Sequence, residues 1–120
     1  MTITVSLEEG NLVILRSNGV LMRQEVDHAK HQVHDIIVAH GKVHVLALME
    51  PDFDNLEAFA TWEDIEVDAV IQPNIIRMAL VGDLRWRDRA ILFFLNAVSS
   101  FQIEYFQPEQ EEFARTWLLA

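Results

Sequence analysis

The apolar residues of this chain switch repeatedly between a period of two and a period near 3.6, and that switching restricts the fold more than any other feature of the sequence. Residues 2–7 alternate strictly, with Ile3, Val5 and Leu7 on one side and Thr2, Thr4 and Ser6 on the other, as in a half-exposed strand at a sheet edge. Glu8-Glu9-Gly10-Asn11 forms a turn. The run Leu12 to Leu15, inside Asn11 to Ser17, makes a second strand close enough for an antiparallel hairpin. The period then becomes helical: between Met22 and His40, the residues Val26, Ala29, Val33, Ile36 and Ile37 share one face, and Gly41 is placed to end the helix. Val43 to Met49 is apolar apart from His44, which suits a strand covered on both faces, with the imidazole expected to find a hydrogen bond. Asp54 and Glu57 have the spacing of a capping box and open a second helix that ends before Pro73-Asn74. Ile75 to Val81 is again a buried strand, and Asp83 can cap a third helix from Leu84 to Val98. Phe101 to Phe106 is the last strand, and Pro108 with the acids after it starts a closing helix.

The predicted order is therefore ββαβαβαβα. Strands alternating with helices call for parallel neighbours joined by right-handed crossovers, so the expected class is α/β, with a mostly parallel sheet and an antiparallel N-terminal edge strand. Residues 1–120 show neither a repeat nor a linker and suffice for a single core. The chain has no cysteine, which excludes disulfides and thiolate sites. Its longest strictly apolar run, Ala90 to Leu95, falls far short of the ~20 residues that span a bilayer, and Met1 to Gly10 lacks a secretory pattern. A cytoplasmic domain without integral membrane association is expected.

Nineteen acids against nine bases leave a formal net charge of -10. Eight of those acids lie between Glu50 and Asp68 with no base among them. Such a run is ordinarily a solvated helix face with capping carboxylates; its sharper reading is a docking face for a basic protein partner that includes Asp52 and Asp54. Glu63 falls on the apolar stripe of the second helix, where burial would raise its pKa unless the helix turns it outward near Trp62. His28, His31 and Asp35 lie opposite the apolar stripe of the first helix and read as solvated surface groups, so neither metal nor cofactor is expected. In the third helix Leu84, Ala90, Ile91, Phe94, Leu95 and Val98 form a core stripe. Trp86 and Phe93, flanked by Arg85 and Arg89, fall beside it. Either both rings enter a wide core or they form an exposed aromatic and basic ridge. The sequence contains no G-x-S-x-G, Walker loop or G-x-G-x-x-G, and four glycines cannot build a phosphate cradle, so no catalytic residue is assigned and an enzyme is not expected.

At Gly41-Lys42-Val43, Thr61-Trp62-Glu63-Asp64, Ala79-Leu80-Val81-Gly82-Asp83-Leu84-Arg85-Trp86, Tyr105-Phe106 and Ala114-Arg115-Thr116-Trp117-Leu118 the chain resembles the SpoIIAA-like family, small bacterial proteins related to STAS domains. The resemblance implies a β-α superhelix like that of SpoIIAA and of CRAL-TRIO lipid-binding domains. SpoIIAA itself is switched by phosphorylation of a serine after the third strand. Here that stretch reads Met49-Glu50-Pro51-Asp52-Phe53-Asp54-Asn55 and contains neither Ser nor Thr. The expected role is a non-catalytic interaction or regulatory module without the phosphorylatable serine. The other reading is a small-molecule or lipid-binding domain of CRAL-TRIO type, which needs an apolar cavity lined by the second and third helices. Asp52, Asp54, Trp62, Glu63, Asp83, Arg85, Trp86, Arg89 and Phe93 are the candidate contact residues, with Trp62 and Asp83 expected to serve structure first. A homodimer touching through Trp86, Phe93 and the flanking arginines is expected from the ridge alternative.

A chain with this charge offers too few basic contacts for counterion release. Random duplex DNA at physiological ionic strength is expected not to retain it; salt-sensitive retention on a DNA column would refute this.

Overall fold

A computed structural model describes residues 3–19, 23–51, 69–88 and 102–120. Within them the chain runs through β1 (Ile3–Glu8), β2 (Leu12–Ser17), α1 (Arg23–His40), β3 (Val43–Met49), a 3-10 turn (Gln72–Asn74), β4 (Ile75–Val81), a second 3-10 turn (Leu84–Trp86), β5 (Gln102–Phe106), a third 3-10 turn (Pro108–Gln110) and α2 (Glu111–Leu119). The strands form one sheet in chain order, β1-β2-β3-β4-β5. β1 and β2 pair antiparallel, and every later pair is parallel. This is the α/β architecture and the mixed sheet read from the sequence. Most of the predicted second helix, apart from helical residues 69–71, and most of the third lie outside the described residues.

Pleating assigns each strand residue to one of two faces. Register places Val13, Val45, Met78 and Leu80 on one face, and Leu12, Ile14, Leu46, Leu48, Ala79, Val81 and Phe106 on the other. Parallel strands taken in chain order with right-handed crossovers send every crossover to the same side of the sheet. α1 lies on that side. Its Ala29, Val33 and Ile37 pack on Val13, Val45, Met78 and Leu80, together with Ile71 and Trp86. The opposite face of β3 and β4 is equally apolar. α2 covers it: Ala114 and Leu118, both 0% exposed, pack on Leu46, Leu48, Ala79 and Val81. β1 needs no cover there, because Thr4, Ser6 and Glu8 point out on that side.

Polar ties set where α2 lies. Arg77 of β4 donates from Nη1 to the carbonyl of Trp117 at 2.7 Å, and its guanidinium lies 5.2 Å from the centre of the Trp117 ring. It thus satisfies a carbonyl in the last turn of the helix, where a cation is also favoured by the helix dipole. Arg115 reaches Glu8 of β1 at 3.1 Å and Glu111 at 3.3 Å. At the same end of the sheet, Asn11 takes a positive φ of 53° after Gly10 at 81°. Its side chain donates to the carbonyls of His40 and Lys42, both at 3.2 Å, while its carbonyl accepts from the His44 amide at 3.0 Å. One asparagine therefore joins the hairpin turn to the end of α1 and the start of β3. Gly41, at φ 86°, ends α1 with its amide on Ile37 O, as its position in the sequence predicts.

Two local expectations are corrected. Leu84, expected in a core stripe, is 55% exposed, whereas Trp86 is 6% exposed. The segment opens as a 3-10 turn, whose three residues per turn shift the phase assumed for an α-helix. His44 Nδ1 is buried and has no hydrogen-bond partner among the described residues, where a satisfied imidazole was expected. His28, His31 and Asp35 are exposed as expected. Among the described residues, no helix is long and apolar enough to cross a membrane.

Because nothing but α2 covers the second face of β3 and β4 among the described residues, Leu118→Ala is expected to cost about 2–5 kcal/mol. Thr4→Ala, on an exposed position of β1, should stay within about 0.5 kcal/mol of the parent. Denaturant midpoints of the two variants check this directly.

Candidate functional site

In open α/β sheets, ligands and partners collect beyond the carboxyl ends of the parallel strands. Here that end carries a cleft of about 380 Å³. Its floor is Leu48 and Val81, from the face that α2 covers. Arg16 stands at the end of β2, Met49, Glu50 and Pro51 follow β3, and Asp83 follows β4. Pro108 and Glu111, where the chain turns from β5 into α2, close the remaining side. The cleft exists because α2 begins at this end of the sheet and runs back across it, so its first turn leaves the strand ends partly open.

The polar groups around the cleft engage one another. Arg16 Nη1 donates to Glu50 Oε1 in an ion pair, and the Glu50 amide donates to Ser17 O at 2.8 Å. Asp83 accepts the Arg85 amide on Oδ1 at 2.9 Å, the N-cap bond expected of it. The Asp83 carbonyl accepts twice, from the Trp86 amide at 3.1 Å and from the Tyr105 hydroxyl at 2.7 Å. Glu111 is held by Arg115. Gly82, between β4 and Asp83, donates to Phe106 O at 3.0 Å. A Cβ at Gly82 would lie 2.9 Å from the Tyr105 hydroxyl and 3.1 Å from Met49 Cβ, so only glycine fits without moving one of them. Burial pushes the Tyr105 phenol up to about 12, with the nearby Asp83 carboxylate adding to the shift.

The candidate residues from the sequence divide sharply. Asp83 is at the rim of the cleft and caps the turn that follows. Arg85 is exposed beside it, with its guanidinium 5.0 Å from the centre of the Trp86 ring. Trp86 is buried against the α1 side of the sheet, which is the core alternative of the two readings open to it. A two-fold contact through that ridge loses one of its two rings. Asp52, Asp54, Trp62, Glu63, Arg89 and Phe93 lie outside the described residues. Sequence reasoning missed Arg16, Gly82 and Tyr105 as parts of one site. Arg16 was detectable as a lone cation ending an apolar strand; the closeness of Gly82 to Tyr105 depends on β4 and β5 being neighbours, which no local pattern reveals.

The order of these parts is also that of a known family. The SpoIIAA-like family profile matches residues 12–119, from the start of β2 to the end of α2. The chain belongs to the SpoIIAA-like family. Comparison with curated proteins gives no match. The segments that carried the resemblance now have places in this SpoIIAA-like fold. Gly41-Lys42-Val43 ends α1 and opens β3, Ala79 to Trp86 includes the end of β4 and the Asp83 cap, and Ala114 to Leu118 is the covering face of α2. The stretch lacking Ser and Thr begins at Met49, on the wall of the cleft.

Tyr105 is the one tyrosine of the chain, so phenolate absorbance reports it alone. Its folded pKa, about 12, lies above the unfolded value of 10.0. Its contribution to stability is therefore fully present below pH 10.0 and is lost as pH rises through about 12. An alkaline titration of the native protein should show a midpoint near 12, falling to about 10 in denaturant. A native midpoint at the unfolded value would show that the phenol is not buried beside Asp83.

Proposed function

We propose that this SpoIIAA-like chain is a non-catalytic interaction module that recognises a protein partner with the carboxyl-end rim of its parallel strands, without a serine switch. The observation that carries this reading is the mutual pairing around the cleft. Arg16 with Glu50, Asp83 with its cap amide and Glu111 with Arg115 leave a charged, pre-organised rim over an apolar floor. Catalytic sites instead set a nucleophile against a base, or hold a titratable group poised for proton transfer. Here Tyr105, whose pKa is clearly moved, is pushed away from neutral pH. A rim of satisfied charges around an apolar centre is the usual anatomy of a protein contact.

The small-molecule or lipid reading has one observation in its favour: about 380 Å³ lies within the roughly 300–1,000 Å³ range of ligand sites. This cleft is lined by strand ends and the start of α2, whereas the second and third helices that the lipid reading needs lie mostly outside the described residues. Its lining also includes Arg16, Glu50, Asp83 and Glu111, which suits a polar contact better than an acyl chain.

A photo-crosslinking side chain at Pro51, with the exposed His28 of α1 as the control position, tests the reading in cells. The expected result is one discrete protein adduct from position 51, lost in the Arg16→Glu variant and absent from position 28. The ion pair is largely exposed, so that variant should keep the parental stability within about 1 kcal/mol. Adducts of equal yield from both positions would contradict the proposal. A small molecule carried through native mass spectrometry and released by Arg16→Glu would support the ligand reading instead.

A further inference from the structure

β5 ends the sheet, with β4 as its strand neighbour and no described strand beyond it. The Phe106 carbonyl accepts from Gly82, so that residue's backbone faces the sheet. Strand alternation then turns the N–H and C=O groups of Ile103 and Tyr105 outward. α2 lies over β3 and β4 and leaves the outer strand with a step beside it. On that step Phe113 is 70% exposed, and its ring centre lies 6.2 Å from that of Phe106. Trp117, one turn on, lies 6.0 Å from Phe106. Glu104, opposite Ala79, projects from the same face of β5 and is exposed, as are Glu109 and Glu112 around Phe113. The nearby cation Arg77 is turned into the Trp117 ring and carbonyl.

We propose that the outer edge of β5, together with the Phe113 and Trp117 flank of α2, takes up an added β-strand from a basic partner protein. Main-chain bonds to Ile103 and Tyr105 supply the pairing, and side chains alternating along the visiting strand supply the selection. A lysine or arginine opposite Glu104 and an apolar side chain opposite Phe106 match this edge. A second copy of the chain matches it poorly. Antiparallel self-pairing of Gln102–Phe106 about its middle residue sets Glu104 against Glu104, and like charges directly opposite are destabilising. Two chains of net charge -10 also repel. A partner helix would leave the outward backbone groups unpaired. This surface is separate from the cleft, so it stands or falls independently of the role proposed there.

The probe is a short capped peptide carrying Lys and Val in turn at every second position, with Thr between them, so that Lys meets Glu104 and Val meets Phe106; it is added to the full chain, with amide exchange followed residue by residue. The expected result is about tenfold slower exchange at Ile103 and Tyr105 at saturation, with β1 amides unchanged. A Glu-and-Val peptide of the same length should bind about tenfold more weakly, and Glu104→Lys should remove that preference. Phe113→Ser, at an exposed position, should weaken binding severalfold while the denaturant midpoint holds. Equal binding by a backbone N-methylated Lys-and-Val peptide would overturn the proposal, since charge alone would then suffice. No binding, or protection centred elsewhere, would also overturn it. Concentration-dependent protection of Ile103 and Tyr105 without peptide would overturn it in favour of a second copy.

Discussion

A parallel sheet whose strands follow chain order buries one face under its own crossovers and leaves the other bare. In this protein Leu46, Leu48, Ala79 and Val81 make that second face as apolar as the first. The cost of leaving it in water is the constraint on which the remaining architecture depends. The chain meets it with a helix that is not a crossover. α2 follows the last strand, turns at Pro108 and runs back over β3 and β4. Ala114 lets the helix approach the sheet closely, Leu118 fills the space below it, and Arg77 holds its last turn.

The position of α2 decides where recognition can occur. Its first turn stands over the carboxyl ends of β2, β3 and β4, which makes the cleft between Arg16, Glu50, Asp83 and Glu111. Its flank stops short of covering β5, which leaves Phe113 exposed beside Phe106. Both surfaces therefore follow from one packing event. The Gly82–Tyr105–Asp83 contacts sit beneath the rim and fix the turn after β4, so the charges above it are presented from a rigid base.

The strands were legible because their period is strong. Ile3, Val5 and Leu7 alternate against Thr4 and Ser6, and the apolar character of Val43 to Met49, broken only by His44, announces cover on both sides. Asp83 was legible as a cap because the chemistry is local. Trp86 was not, because a helical wheel assumes 3.6 residues per turn and the segment begins with a 3-10 turn that exchanges the positions of Leu84 and Trp86. Of the cleft, only Glu50, at the start of the acidic run, and Asp83, as a cap, were legible. Their partners Arg16 and Tyr105 are brought in by sheet order, and this proximity has no local signature. The aromatic flank of α2 was likewise hidden, since Phe113 and Trp117 look like an ordinary core pair at helical spacing.

The central claim is that α2 is an integral layer of the core and not an appendage. Native-state hydrogen exchange across a series of low denaturant concentrations measures this directly. If the claim holds, amides in the last two turns of α2 open together with those of β3 and β4, at the free energy of global unfolding. If α2 amides instead exchange through an opening well below the global value while β3 and β4 stay protected, the helix is a loosely held cover, and neither the cleft nor the β5 step is a fixed surface.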